Sequence, residues 1–349
     1  MTSVHRSIVA VLAMLALVAA ACGSDTTTTS TAQAPADAPT VAVTTNILGD
    51  VVRNIVGDQM NVTTIMPVGA DPHDFQASAQ QVNEMTTAVA IVANGAAFEE
   101  GLLDVIETAE DDGVPVYEAI ATVATLEFGE DSHGHEEEGE EHEDEEHEDE
   151  EHEEEGDEHA HEEEGDGHAH DGADPHFFTD PARMALAVDG IADFLIDNVD
   201  GVDTEAIAAN ADAYIGELEA LDSEVVEILA PLDDGERVLI TNHEVFGYFA
   251  DRYDFEVVGA VIPSGSTTDG TSAEALNELA HLIEDEGVGA IFGDTSSSSE
   301  LVETLAAEVG DISVVELYSE SLGDDSSDGA TYVDMVRTNA NRIAEALDA

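Results

Sequence analysis

From Thr40 onward, short and almost wholly apolar runs alternate with stretches whose apolar positions recur every three or four residues. Runs at 40–46, 61–66, 88–93 and 114–119 read as four strands of a first half, and runs at 237–242, 255–261, 288–292 and 312–317 as four strands of a second. Strands that lack polar alternation are buried on both faces, as in parallel sheets covered by helices. The spacing predicts a helix over Phe98–Asp111 with Leu102, Leu103 and Ile106 on its inner face, and another over Glu274–Glu286 with Leu276, Leu279, Leu282 and Ile283 inside. Between the halves, Ile207, Ala211, Tyr214, Leu218, Leu221, Val225 and Ile228 step by four and three residues. That is one stripe on a long helix over 203–229, ended by Pro231. The predicted fold is α/β: two lobes, each a four-stranded, mainly parallel sheet flanked by helices, joined by one long rigid helix.

A chain of 349 residues exceeds what one core usually supports, about 250–300 residues, in keeping with two lobes. The expected boundaries are 40–202 for the first lobe, 203–230 for the linking helix and 231–349 for the second lobe. Residues 1–22 differ in kind. A short basic start precedes an apolar run from Ile8 to Ala21, too short to span a bilayer comfortably, and this reads as an export signal. The run ends in Ala19, Ala20 and Ala21 before Cys22, the one cysteine. Residues 23–39, rich in Thr, Ser, Ala and Pro, read as a flexible tether.

Charge sharpens the picture. Seven arginines and no lysine face 81 Asp and Glu, for a formal charge of −74. Such a surface repels phosphate backbones and attracts cations, which excludes nucleic-acid binding. Residues 130–171 carry −25 of this with no base, leaving −49 on the rest, a residual acidity that fits either solubility or a saline habitat. The same stretch holds nine of the 14 histidines: His133, His135, His142, His147, His152, His159, His161, His168 and His170. A spacing of five, as in His142, His147 and His152, advances a helix by about 500°, so these rings share no face. Dense like charge opposes compaction, and the stretch reads as a disordered, low-affinity metal-capture insert within the first lobe. A single cysteine excludes an internal disulfide and a cysteine-rich zinc site, so a bound metal needs nitrogen and oxygen ligands.

Of the remaining histidines, His5 leaves with the signal and His281 falls on the outer side of the 274–286 helix. His73 lies in Pro67-Val-Gly-Ala-Asp-Pro-His-Asp-Phe just past the second strand, and His243 ends a strand in Thr241-Asn-His-Glu-Val-Phe-Gly-Tyr-Phe. Ligands of open α/β sheets bind beyond the carboxyl ends of the strands. His176 sits in a second Asp-Pro-His, Asp174-Pro-His-Phe-Phe-Thr-Asp-Pro, where the proline ring fixes the backbone ahead of the imidazole.

These motifs, with the C-terminal stretches Glu316-Leu-Tyr-Ser-Glu-Ser-Leu-Gly and Thr331-Tyr-Val-Asp-Met, resemble the extracytoplasmic metal-binding receptors of zinc and manganese ABC importers, the cluster A-I proteins that include the ZnuA and TroA groups. The resemblance spans about Val41 to Leu347, and an acidic His-rich insert before the second Asp-Pro-His is a further mark of the zinc members. Residues up to Cys22 are similar to a bacterial lipobox, with Ala19 where Leu is usual, which implies a lipid-anchored protein on the outer face of the cytoplasmic membrane. The resemblance implies His73, His176 and His243 as metal ligands, a fourth ligand at Glu320 where the family usually has Asp, and Asp294 as an acidic residue behind them. It implies no enzymatic turnover and an ABC permease as partner. Three imidazoles and a carboxylate suit Zn2+, with Mn2+ as the alternative. Two other readings are a zinc hydrolase using Glu244 as base, weakened by the absence of His-Glu-x-x-His, and an extracellular metal buffer or adhesin, a cell-adhesion role, with the insert as its main function.

Overall fold

The computed structural model describes residues 34–128, 172–310 and 312–348. The segment read as an export signal with Cys22, most of the stretch read as a tether, and the insert with its nine histidines lie outside the described residues.

The chain enters as β1 (Thr40–Val43), α1 (Asn46–Val56), β2 (Asn61–Thr64), α2 (Ala79–Thr86), β3 (Ala90–Ala93), α3 (Leu103–Asp111) and β4 (Val116–Glu118). Helices α4 (Pro181–Asn198) and α5 (Thr204–Leu229) follow. The second lobe runs β5 (Val238–His243), α6 (Gly247–Tyr253), β6 (Glu256–Ile262), α7 (Ala273–Glu286), β7 (Ala290–Asp294), α8 (Glu300–Val309), β8 (Ser313–Leu317) and α9 (Tyr332–Leu347). The sheets have orders β2-β1-β3-β4 and β6-β5-β7-β8, with every pair parallel. The winding is thus the same twice, and it reverses between β1 and β3 and between β5 and β7, where a crevice opens at the strands' carboxyl ends.

The all-apolar strands are explained by burial on both faces. Val41 and Val43 of β1, with Ala90 and Val92 of β3, face a large central core, while Ala42 and Ile91 face a smaller one under α2 and α3. In the second sheet Leu239 and Phe292 face the central core, and Ile240 and Ile291 face the layer under α7 and α8. The central core is continuous through both lobes and holds the buried stripe of α5. That stripe is Ile207, Ala211, Tyr214, Leu218, Leu221, Val225 and Leu229. Full burial of side chains of this size is worth roughly 1.5–3 kcal/mol each, so α5 is welded to both lobes. At 26 residues it extends about 39 Å.

Three local expectations are corrected. The first strand stops at Val43, because Thr45 caps α1 by accepting the Leu48 N–H at 3.2 Å and Asn46 is already helical. The last inward residue of α5 is Leu229, with Ile228 only partly buried, since a step of four continues the stripe. The stretch 98–111 is not one helix: a 3-10 turn at Glu100–Leu102 precedes α3, which rotates the faces so that Leu102 is buried and Leu103 is 42% exposed. His281 is exposed on α7, as expected. No helix among the described residues is long and apolar enough to cross a membrane.

Candidate metal centre

The two Asp-Pro-His tripeptides fold alike. Asp71 Oδ1 accepts the His73 N–H at 3.0 Å, and Asp174 Oδ1 accepts the His176 N–H at 2.9 Å. Each aspartate thus closes a tight turn around the proline, a local hydrogen bond that needs no tertiary help. The third histidine, His243, is the last residue of β5, with its carbonyl bound by the Thr241 hydroxyl at 2.7 Å and the Val245 N–H at 2.9 Å.

These segments bring four buried side chains together: His73, His176, His243 and Glu320, whose ligand-capable atoms all lie within 4.8 Å of one another. Glu320 Oε1 stands 2.8 Å from His73 Nε2, 3.4 Å from His176 Nε2 and 3.2 Å from His243 Nε2. A tetrahedron drawn on zinc–ligand bonds of 2.0–2.1 Å has edges of about 3.3 Å, so the three edges that meet at Glu320 are close to the length one small divalent ion requires. Glu320 Oε2 and His243 Nδ1 are buried without a hydrogen-bond partner among the described residues. The extra methylene of Glu320, relative to aspartate, does not keep its carboxylate from the imidazoles.

The rings are aimed from behind. His176 Nδ1 meets Asp174 Oδ1 at 2.7 Å, and His73 Nδ1 meets Glu100 Oε1 at 3.1 Å. A carboxylate on the far ring nitrogen fixes the tautomer and turns Nε2 toward the centre. Phe98 lies edge-on to His73 at 5.3 Å and to His176 at 5.5 Å between centroids, and Phe128 and Phe178 also border His176, at 6.2 and 5.9 Å. These rings thicken the apolar wall around the centre. Phe98 follows three consecutive left-handed residues, Gly95, Ala96 and Ala97. The two alanines cost about 1–2 kcal/mol each in that conformation. The turn is held by the buried Glu99 carboxylate, which accepts from the Asn94 N–H at 2.6 Å and the Thr44 hydroxyl at 2.5 Å.

Burial opposes charge throughout the centre. For His73 burial acts downward, yet the Glu320 charge and the bonds to Glu100 and Glu320 raise its pKa to about 10. His176 is likewise raised, with burial outweighed by Asp174 and Glu320. Burial pushes Glu320 up, but the charges of His243 and His73 hold it well below the usual carboxylate range. Asp294, buried at the end of β7, is raised by burial and by the Glu320 charge; it accepts from the Ser296 N–H and hydroxyl, each at 2.8 Å, and is not one of the four clustered residues. Glu244, half-buried, is raised by burial and by Asp174.

Glu100 and the phenylalanine wall are absent from the sequence reading. Glu100 lies 27 residues from His73, so no spacing rule connects them. Asp174 did carry a signal, because an aspartate two residues ahead of a histidine can cap it.

The family described as zinc-uptake complex component A, periplasmic (ZnuA), matches residues 41–346. The chain is 25% identical over 337 residues to the manganese-binding lipoprotein MntA of Halalkalibacterium halodurans, covering 97% of each. It is 28% identical over 316 residues to the zinc-binding protein TroA of Treponema pallidum, covering 88% of this chain and 89% of TroA. The solved structure of the periplasmic zinc-binding protein TroA from Treponema pallidum superimposes with a TM-score of 0.72 at 27% identity, covering 89% of this chain and 99% of that one.

Proposed function

Because this chain belongs to the ZnuA family, we propose that it is the extracytoplasmic receptor of an ABC importer, which captures Zn2+ between its lobes and delivers it to a membrane permease. The observation that carries this reading is the convergence of three imidazoles on one carboxylate in a buried centre, drawn from both lobes and without a thiolate. Such an N3O set suits a four-coordinate borderline ion. His73, His176, His243 and Glu320 are the ligands. Asp294 stands behind them at the end of β7. The metal is cargo, and no bond in it or through it has to break. A hydrolase would need an open coordination position and a poised base, whereas four protein groups already meet at this centre.

Cys22 serves as the lipid attachment point, which keeps the receptor on the outer face of the cytoplasmic membrane beside its permease. The nine insert histidines gather metal loosely and raise its concentration near the centre.

Native mass spectrometry tests the core of this. The full chain and a chain lacking 130–171 are expected to retain one tightly held Zn2+ each, and His243→Ala to lose about 10²–10³-fold in affinity, one ligand's share of the roughly 10–16 kcal/mol of a four-ligand zinc site. Loss of tight binding on removal of the insert overturns the ligand assignment. A second reading, a manganese receptor, is favoured by the manganese-binding name of the MntA relative. Zinc outcompetes manganese at most nitrogen and oxygen sites, so a chain that holds Mn2+ as tightly as Zn2+ overturns the zinc assignment in favour of manganese.

A further inference from the structure

Asn46 is the first residue of α1, directly past the central strand β1, and it is buried in contact with the other lobe. Its amide nitrogen donates to the Pro67 carbonyl at 3.2 Å and to the Ser321 hydroxyl at 3.0 Å, and its amide oxygen accepts the Leu322 N–H at 2.7 Å. The orientation of the amide is fixed by chemistry, since a proline carbonyl only accepts and a backbone N–H only donates. Ser321 is saturated in turn. Its hydroxyl accepts from Asn46 and from the Gly69 N–H at 2.7 Å, and donates to the Leu322 carbonyl at 3.0 Å.

Two loops meet at this node. One, through Pro67 and Gly69, leads to His73; the other begins one residue after Glu320. On the other side of Glu320, the Tyr318 backbone is gripped from its own lobe by Asn339 of α9, which accepts the Tyr318 N–H at 3.0 Å and donates to its carbonyl at 2.8 Å. The Glu320 segment is therefore held between two buried asparagines, one from each lobe. Asn339 fixes it to the second lobe, and Asn46 fixes it to the first.

We propose that Asn46 is a positioning residue for Glu320, which ties the His73 loop to the Glu320 loop across the lobe boundary and so sets how long the metal is retained. The proposal rests on the metal-receptor reading above. Asn46 touches no ligand atom, so it acts through the segments it holds, and chiefly through the Glu320 segment, which takes two of its bonds, to Ser321 and Leu322, against one to Pro67 on the His73 side. When the amide is removed, the segment keeps its Asn339 anchor, while of the node's bonds to the first lobe only that from the Gly69 N–H to the Ser321 hydroxyl remains, and the carboxylate is freer to follow the second lobe away from His73.

The test measures Zn2+ dissociation from the full chain into an excess of a chromophoric chelator, for Asn46→Ala and Ser321→Ala, each in the natural background and in Glu320→Ala. Removing a group that orients a ligand costs about 10–100-fold. Asn46→Ala is expected to speed release by about that factor in the natural background and to add nothing when Glu320 is already gone. Ser321→Ala, which removes one hydroxyl and leaves the Leu322 bond, is expected to act in the same direction and less. Equal acceleration by Asn46→Ala in both backgrounds overturns the proposal, because the effect then reflects general loosening of the fold. So does wild-type release from both single variants. If the unaltered chain takes up neither Zn2+ nor Mn2+, the receptor reading itself falls. If the unaltered chain binds tightly and Asn46→Ala changes nothing, this proposal alone falls.

Discussion

The same tripeptide, Asp-Pro-His, occurs twice at the centre and is wired differently each time. In both copies the aspartate caps the histidine backbone at nearly the same distance, 3.0 Å and 2.9 Å. In the second copy the same oxygen of Asp174 also holds the His176 ring at 2.7 Å, so the motif is self-contained. In the first copy the ring of His73 turns instead to Glu100, and the second oxygen of Asp71 accepts the Thr267 hydroxyl from the other lobe at 2.5 Å. Identical local chemistry fixes the turn. What holds the ring is decided by whichever carboxylate the fold brings alongside. The consequence is a division of labour: His176 is built in by its own segment, whereas His73 depends on the approach of the turn before α3 and on the contact between lobes.

Breaking the two aspartates separately gives the largest expected difference. Asp174→Asn removes the charged partner of the His176 ring and is expected to cost about 10–100-fold in metal affinity. Asp71→Asn touches no ring and is expected to cost several-fold less, read by competition with a chelator of known affinity. Equal losses from the two substitutions would erase the distinction.

Acidity sharpens the comparison on the His73 side. Metal binding requires neutral imidazoles, and His73 keeps its proton up to about 10 before metal arrives. Affinity is therefore expected to climb with pH past the ordinary histidine value of 6.5 and to level off only near 10, rather than falling only below 6.5 as unperturbed imidazoles would require. Calorimetry in buffers of different ionisation enthalpy should find at least one proton released per Zn2+ at neutral pH; release of none contradicts it. The sign reverses for the metal-free fold. The raised His73 pKa contributes stability that is full below 6.5 and lost as pH rises through about 10. The depressed Glu320 contributes stability that is present above its ordinary 4.5 and lost as pH falls through its lowered value. Thermal melts of the metal-free chain are expected to peak between those two ordinary values as far as this cluster is concerned, and the dependence should weaken in Glu320→Gln, where Glu100 and Asp71 still act on His73.

The smallest expected effect comes from the contact that only the first copy makes. Thr267→Val removes the hydroxyl donor to Asp71 and is expected to cost about 0.5–1.5 kcal/mol of stability, measured by chemical denaturation. Its effect on metal affinity should be below that of Asp174→Asn.

Much of this architecture is legible in the residues. The eight apolar runs become eight parallel strands, and the central ones, β1, β3, β5 and β7, lack polar alternation because they are buried on both faces, whereas the edge strands β2, β4, β6 and β8 stay partly exposed; β1 and β3 display their two faces against separate cores. The α5 stripe is equally plain, because a 3.6-residue period survives for 26 residues. The reading fails where a local bond outranks the pattern. Thr45 reads as strand by composition, and its hydroxyl makes it a helix cap. Leu103 belongs to an apolar face until a 3-10 turn changes the phase of the helix behind it.

At the centre, the amino-acid order determined that histidines would stand behind proline turns and at a strand end, because those are properties of neighbouring residues and of hydrophobic period. Only the tertiary structure decided that Glu100 backs His73, that Phe98 walls the rings, and that Asn46 reaches Ser321 across 275 positions. Contacts of that separation depend on how two sheets are wound and pressed together, and no rule of spacing along the chain contains that information.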